Sequence, residues 1–174
     1  MSQDSSDWTH ENEDILNNIR LNCNDLEDYH KNVYFVLKRY NLLYKIPILI
    51  LSSVNGIVSI FPSEYISQPR ITLINCGLSF IISTISSIAI YLKIDDKLEN
   101  EMTLAKQYHL LSIDIYKTLI QQRKERSIDG PQFMSDKYNE YIKLFEKSNI
   151  LKIEFKDNLK PIHLNIGILG DNII

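Results

Sequence analysis

Two apolar runs, Ile46 to Phe61 and Ile71 to Leu92, lie nine residues apart in a chain that is otherwise rich in charge, and they restrict what it can fold into. The second run has 22 residues and no charged side chain. At 1.5 Å per residue it makes a helix of about 33 Å, enough for a hydrocarbon core of about 30 Å. The first run has 16 residues, about 24 Å on the same rise, so it borrows from Leu42, Leu43 and Tyr44 while Lys45 snorkels towards the headgroups. The expectation is a transmembrane hairpin with spans 46–61 and 71–92 joined by the connector 62–70. A soluble helical bundle that buries both runs is the competing fold.

The flanks predict helices that extend the hairpin. Thr9 can cap a helix whose first turn carries Glu11, Glu13 and Asp14, charges that suit a helix N-terminus. From there a seam steps three and four residues at a time through Leu16, Ile19, Cys23, Leu26, His30, Val33 and Leu37 to Tyr40 and Tyr44. That spacing predicts a narrow stripe packed on another helix in coiled-coil fashion. No glycine or proline interrupts Thr9 to Ile46, so a helix over 9–45 can enter the membrane directly, with Pro47 where a kink or new turn begins. Beyond the second span, 93–126 also lacks glycine and proline, and Ile94, Leu98, Ala105, Tyr108, Leu111, Ile115 and Leu119 share one face. Ser127 to Pro131 is a stop, after which a C-terminal helix over 131–149 folds back on these arms. Residues 1–8 read as a disordered start and 150–174 carry no consistent pattern. The fold class expected is therefore all-α: a two-span hairpin extended by a long helical stalk and a short C-terminal helix.

Charge gives orientation and excludes function classes. Lys31, Lys38, Arg39 and Lys45 precede the first span and Lys93, Lys97 and Lys106 follow the second, against Arg70 alone in the connector. By the positive-inside rule both termini are cytosolic. A net charge of -3 gives no basic surface for nucleic acid. The acidic, polar N-terminus does not read as a signal peptide, so insertion uses the internal segments. Cys23 and Cys76 lie in different environments, which argues against an intrachain disulfide.

Polar residues inside the spans are the candidate functional positions. Ser52, Asn55, Gly56 and Ser59 share one side of the first run, and Cys76, Ser79, Ser83, Ser86 and Ser87 recur at helical spacing in the second. Small and hydroxyl residues let helices approach and hydrogen-bond in lipid. They read first as interhelical glue; in an oligomer, Asn55 with Ser79, Ser83 and Ser87 turned to a shared axis would line a pore. His10, His30, His109 and His163 have no partner at metal-ligand spacing, and His30 reads as a hydrogen-bonded packing residue. Asp95, Asp96 and Glu99 could meet a cation but read more simply as a solvated face, and Arg123, Lys124 and Arg126 suit the negative end of the long helix. No phosphate loop, nucleophile elbow or HExxH motif occurs. Neither an enzyme nor a cofactor nor a small-molecule substrate is expected; the partners are the bilayer and further copies of the chain.

Scattered residues carry a resemblance. Trp8-x-x-Glu11-x-Glu13-x-Ile15-Leu16, Tyr29-His30, Pro47-x-x-Ile50-Leu51-Ser52-Ser53-x-x-Gly56, and Tyr116-x-x-Leu119 with Arg123-x-Glu125-Arg126 resemble the SLATT-like proteins. That family has two membrane helices followed by cytosolic helices, with small uncharacterised members of similar layout in large DNA viruses. The resemblance covers about residues 8 to 150 and implies a pore-forming effector. The alternative is a membrane scaffold or virion membrane component that binds partners without conducting.

Overall fold

A computed structural model describes residues 8–60, 62, 64, 66–148 and 157–159. The described residues form long α-helices and no strand: α1 (His10–Ser59), α2 (Gln68–Tyr91), α3 (Ile94–Leu119) and α4 (Gly130–Lys147), with a 3-10 turn at Arg123–Glu125. They divide into two compact units. One contains residues 8–28 with everything described from Leu104 onward; the other is Tyr29–Thr103.

In the first unit, residues 10–28 of α1, the later part of α3 and α4 enclose a small core. Thr9 caps α1 as expected, its Oγ1 accepting from the Asn12 amide at 3.2 Å. Leu16, Ile19, Cys23 and Leu26 are buried against Tyr108, Leu111 and Ile115 of α3 and Phe133, Tyr141 and Leu144 of α4. α1 and α3 run antiparallel, since Arg123 meets Glu13, Ser112 meets Asn24 and His109 meets Glu27. The packed face is wider than a two-helix stripe because α4 covers a second side: Asn22 and Glu27, off the predicted seam, are buried too. Asn22 is fully used. Its Nδ2 donates to the Tyr141 hydroxyl and the Asp157 carboxylate, and its Oδ1 accepts from the Asn158 backbone and side-chain amides. Burial pushes the Cys23 thiol up to about 12, with Glu140 and Glu27 adding to the effect, so it packs as an inert small hydrophobe.

In the second unit, residues 29–59 of α1 pair antiparallel with α2 and the start of α3. Several boundaries differ from the sequence reading. α1 passes through Pro47 as one helix ending at Ser59, so 9–45 runs directly on into the first apolar run; the chain loses one backbone bond at Pro47 and continues. The arm expected over 93–126 starts at Ile94 after a break at Leu92 and Lys93, where Lys93 adopts φ 50°. It stops at Leu119 although no glycine or proline intervenes, because Arg126 turns back to cap the carbonyls there, donating to Leu119 O at 3.0 Å and Gln121 O at 3.1 Å. α4 occupies 130–147 where 131–149 was expected; Asp129 caps it by accepting from the Gln132 amide, with Pro131 in its first turn. The connector 62–70 is shorter than expected because α2 already begins at Gln68. Of the tail 150–174, only 157–159 lie within the described residues.

The seam residues divide between the units. Leu16, Ile19, Cys23 and Leu26 are buried in the first, and His30 is buried in the second, whereas Val33 and Leu37 are only half-covered and Tyr40 is exposed. Two paired helices cannot cover a full face, so the same spacing gives less burial there.

Candidate functional site: a polar seam between outward apolar faces

The apolar parts of α1 and α2 have an inside-out arrangement. Leu49, Ile57, Leu73 and Phe80 are exposed by 69, 58, 74 and 74 %, while amides and hydroxyls meet between the helices. Asn55 Nδ2 donates to Ser79 Oγ at 3.4 Å, and Asn75 Nδ2 donates to Ser59 Oγ at 3.0 Å. Ser59 in turn donates to the Asn55 carbonyl at 2.8 Å, which links the two pairs. The Oδ1 atoms of both asparagines are shut off from solvent and accept nothing among the described residues. Other hydroxyls are spent inside their own helices: Ser53 on Leu49 O, Thr84 on Phe80 O and Ser87 on Ser83 O.

Of the residues singled out from sequence, Asn55, Ser59 and Ser79 therefore come together across the hairpin. Ser52, Gly56, Ser83 and Ser87 stay on its surface. Gly56 is not needed for close approach within the chain, since a Cβ built on it meets nothing within 4 Å. Asn75 was missed. Its signal was plain in retrospect: an amide in an uncharged apolar run is costly in lipid unless another helix receives it.

The base of the hairpin is tied by charge. Asp95 accepts from Lys45 Nζ at 2.8 Å and Asn41 Nδ2 at 2.7 Å, and the Lys45 bond, then the Asn41 bond, hold its carboxyl below the ordinary value. It is thus an ion-pair partner of α1, and no group of three or more metal-binding side chains exists among the described residues. His30, 1 % exposed, places Nδ1 2.6 Å from Glu101 Oε2, the hydrogen-bonded packing role expected of it.

The first unit carries a groove of about 300 Å³ bordered by Arg20, Asn24, Glu27, His109 and Tyr116. Its polar groups are committed to one another. Ser112 donates to Asn24 at 2.6 Å, His109 meets Glu27 at 3.0 Å, and Arg20 donates twice to Asn17 and lies 5.9 Å from the centre of the Tyr116 ring. This gives packing between α1 and α3 rather than a nucleophile with a base.

At the far end of the same unit, Glu13 receives a forked pair from Arg123, at 3.0 and 2.6 Å, and a third bond from Arg126 at 2.6 Å. Arg126 also stacks 4.3 Å from the centre of the Trp8 ring, and Trp8 Nε1 donates to Ile128 O at 3.0 Å. Arg123 and Arg126, read from sequence as lying at the end of a long helix, instead close the unit onto the start of α1. The Arg123 bond first, then Arg126 working against burial, lowers the Glu13 carboxyl from 4.5 to about 2. A depressed carboxylate contributes stability that is complete above pH 4.5 and lost as pH falls through 2. With a fifth of the side chain still in water, the contribution is about 1 to 2 kcal/mol after discounting for screening. Trp8 is the one tryptophan of the chain, so its fluorescence reports the loss. In Glu13→Gln that acid-induced change between pH 4.5 and 2 is expected to shrink.

No protein-family model matches the chain, and no solved structure matches it. It is similar to the uncharacterized protein VP11 of Micromonas pusilla reovirus (isolate Netherlands/2005), 20 % identical over 140 residues that cover 80 % of this chain and 72 % of that protein. A viral origin is consistent with that relative; the SLATT-like pattern finds no counterpart in these comparisons.

Proposed function

We propose that the protein is a non-enzymatic, two-span integral membrane protein that self-associates. The observation that carries this reading is the inverted hairpin: both apolar windows are long enough to cross a bilayer, none of their residues is buried, and each asparagine donates to a serine of the opposite helix instead of to the surroundings. Water would penalise that outer surface, whereas lipid matches it and makes the interhelical amide bonds worth roughly 0.6 to 2 kcal/mol each. The charge count around the spans supports cytosolic termini. Committing Asn55 and Ser79 to one another supports a sealed hairpin acting as the anchor of a cytosolic assembly or scaffold.

A pore is the second reading, and the resemblance to SLATT-like effectors would supply it. It is favoured by Ser52, Ser83 and Ser87, which remain on the outer surface of a single copy and call for polar company from another copy. The two readings separate in liposomes containing the purified chain. If a pore forms, Asn55→Leu abolishes ion leakage while oligomers persist; folded oligomers that leave the liposomes tight establish the scaffold instead, and leakage unchanged by the substitution removes Asn55 from the axis.

A further inference from the structure

In the first unit, two helix faces are left uncovered, and they complement each other. On α1 the outward stripe is Glu11, Asp14, Leu21, Asp25 and Asp28, all exposed. Asp14 reaches only His10, at 3.4 Å, and Glu11, Asp25 and Asp28 have no ion pair among the described residues. On α3 the outward stripe is Lys106, Leu110, Ile113 and Lys117, continued by Ile120 just past its end, with Leu110 and Ile120 exposed by 65 and 63 %. Neither lysine has an ion pair among the described residues. Asp114, three residues before Lys117, is already bound to Lys137 at 2.7 Å.

One face is acidic and the other is apolar and basic, and their charges are spaced alike. Asp14 and Asp25 are eleven residues apart, as are Lys106 and Lys117, about 16 Å along either helix. Because α1 and α3 are antiparallel within a copy, copies related by rotation about an axis along the helices present α1 of one antiparallel to α3 of the next. Setting Asp14 against Lys117 and Asp25 against Lys106 then brings Leu21 opposite Leu110. Two-fold pairing of α1 with α1 or of α3 with α3 would instead juxtapose like charges.

We propose that the α3 face of one copy docks the α1 face of a second copy, head to tail, through Leu21 on Leu110 flanked by the two ion pairs. The proposal specifies the contact behind the self-association in the reading above and rests on that association, not on insertion in a membrane. A head-to-tail contact uses a different surface on each copy, so it propagates to a closed ring or an open filament rather than stopping at a dimer.

The test uses the full-length chain in mild detergent with Cys76→Ser, since Cys23 is buried. Leu21→Cys and Leu110→Cys chains carrying different tags are mixed and oxidised. The expected product joins the two tags, about tenfold over either same-residue dimer. Oligomers in which same-residue dimers dominate, or in which no cross-link forms, overturn the proposal. A charge-reversal pair provides a second readout that keeps both leucines. Lys106→Glu with Lys117→Glu, and separately Asp14→Lys with Asp25→Lys, should each lower the mass by light scattering, and mixing the two should restore it. Unchanged mass in either variant, or no recovery on mixing folded chains, overturns it equally. A native chain that is monomeric at all concentrations removes self-association itself and the proposal with it.

Discussion

Phe80→Asp is expected to release the protein from alkaline-washed membranes into the supernatant. Phe80 lies near the middle of α2 and is 74 % exposed on the outer face of the hairpin. An aspartate at the centre of a spanning helix costs about 3 to 4 kcal/mol relative to phenylalanine, a factor of several hundred in insertion. The sign of the result is informative. If the hairpin stood in water, the same substitution would remove an exposed aromatic ring, change stability by no more than about 0.5 kcal/mol and improve solubility. A pellet-bound Phe80→Asp chain would mean that α2 does not cross the hydrocarbon. Tyr91→Asp is the matching control, since that residue ends α2, where headgroups and water accept a charge.

Trp8→Ala is expected to be the most destabilising single change in the bundle of α1, α3 and α4. The indole is 5 % exposed, its ring centre lies 5.9 Å from that of Phe133, Arg126 covers its other contacts at 4.3 Å, and its N–H is taken by Ile128 O. Truncation of a buried aromatic of this size costs about 3 to 5 kcal/mol, read as a fall in the midpoint of helix loss on denaturant titration in detergent. Trp8→Phe keeps most of the ring contact and loses the hydrogen bond, so about 1 to 2 kcal/mol is expected. Arg126→Lys should not behave conservatively: the guanidinium bonds Glu13, Leu119 O and Gln121 O at once while lying over Trp8, and an ammonium cannot present that planar set of donors. If Trp8→Ala shifted the midpoint no more than an exposed substitution such as Lys124→Ala, the closure of the unit by Trp8 and Arg126 would be contradicted.

These expectations also show what the chain discloses before folding. The helical periodicity of Leu16, Ile19, Cys23 and Leu26 was legible because each lies on a face that the core covers. Val33 and Leu37 continue the same spacing, but their degree of burial depends on how many helices surround them, and periodicity does not contain that. The end of α3 was not legible because nothing near Leu119 breaks a helix; the stop comes from Arg126 returning to the carbonyls there, held in place by its long-range contacts with Glu13 and Trp8. Likewise Asn22 looks like any polar residue beside the seam, and its burial depends on Tyr141, Asp157 and Asn158, more than a hundred residues away. Within the candidate site, Asn55 and Ser79 were legible as polar residues at helical spacing in apolar runs. Their pairing, and that of Ser59 with Asn75, required the register of the hairpin, which sequence spacing within each run leaves open.

The most direct test of the central claim is alkaline-carbonate extraction of membranes from cells expressing the full chain tagged at either end, combined with protease access to each tag on sealed cytosol-side-out vesicles. The account predicts a pellet-bound chain whose two tags are both cleaved, as two spans with cytosolic termini require. Release of the intact chain into the supernatant, or protection of one tag alone, would contradict it.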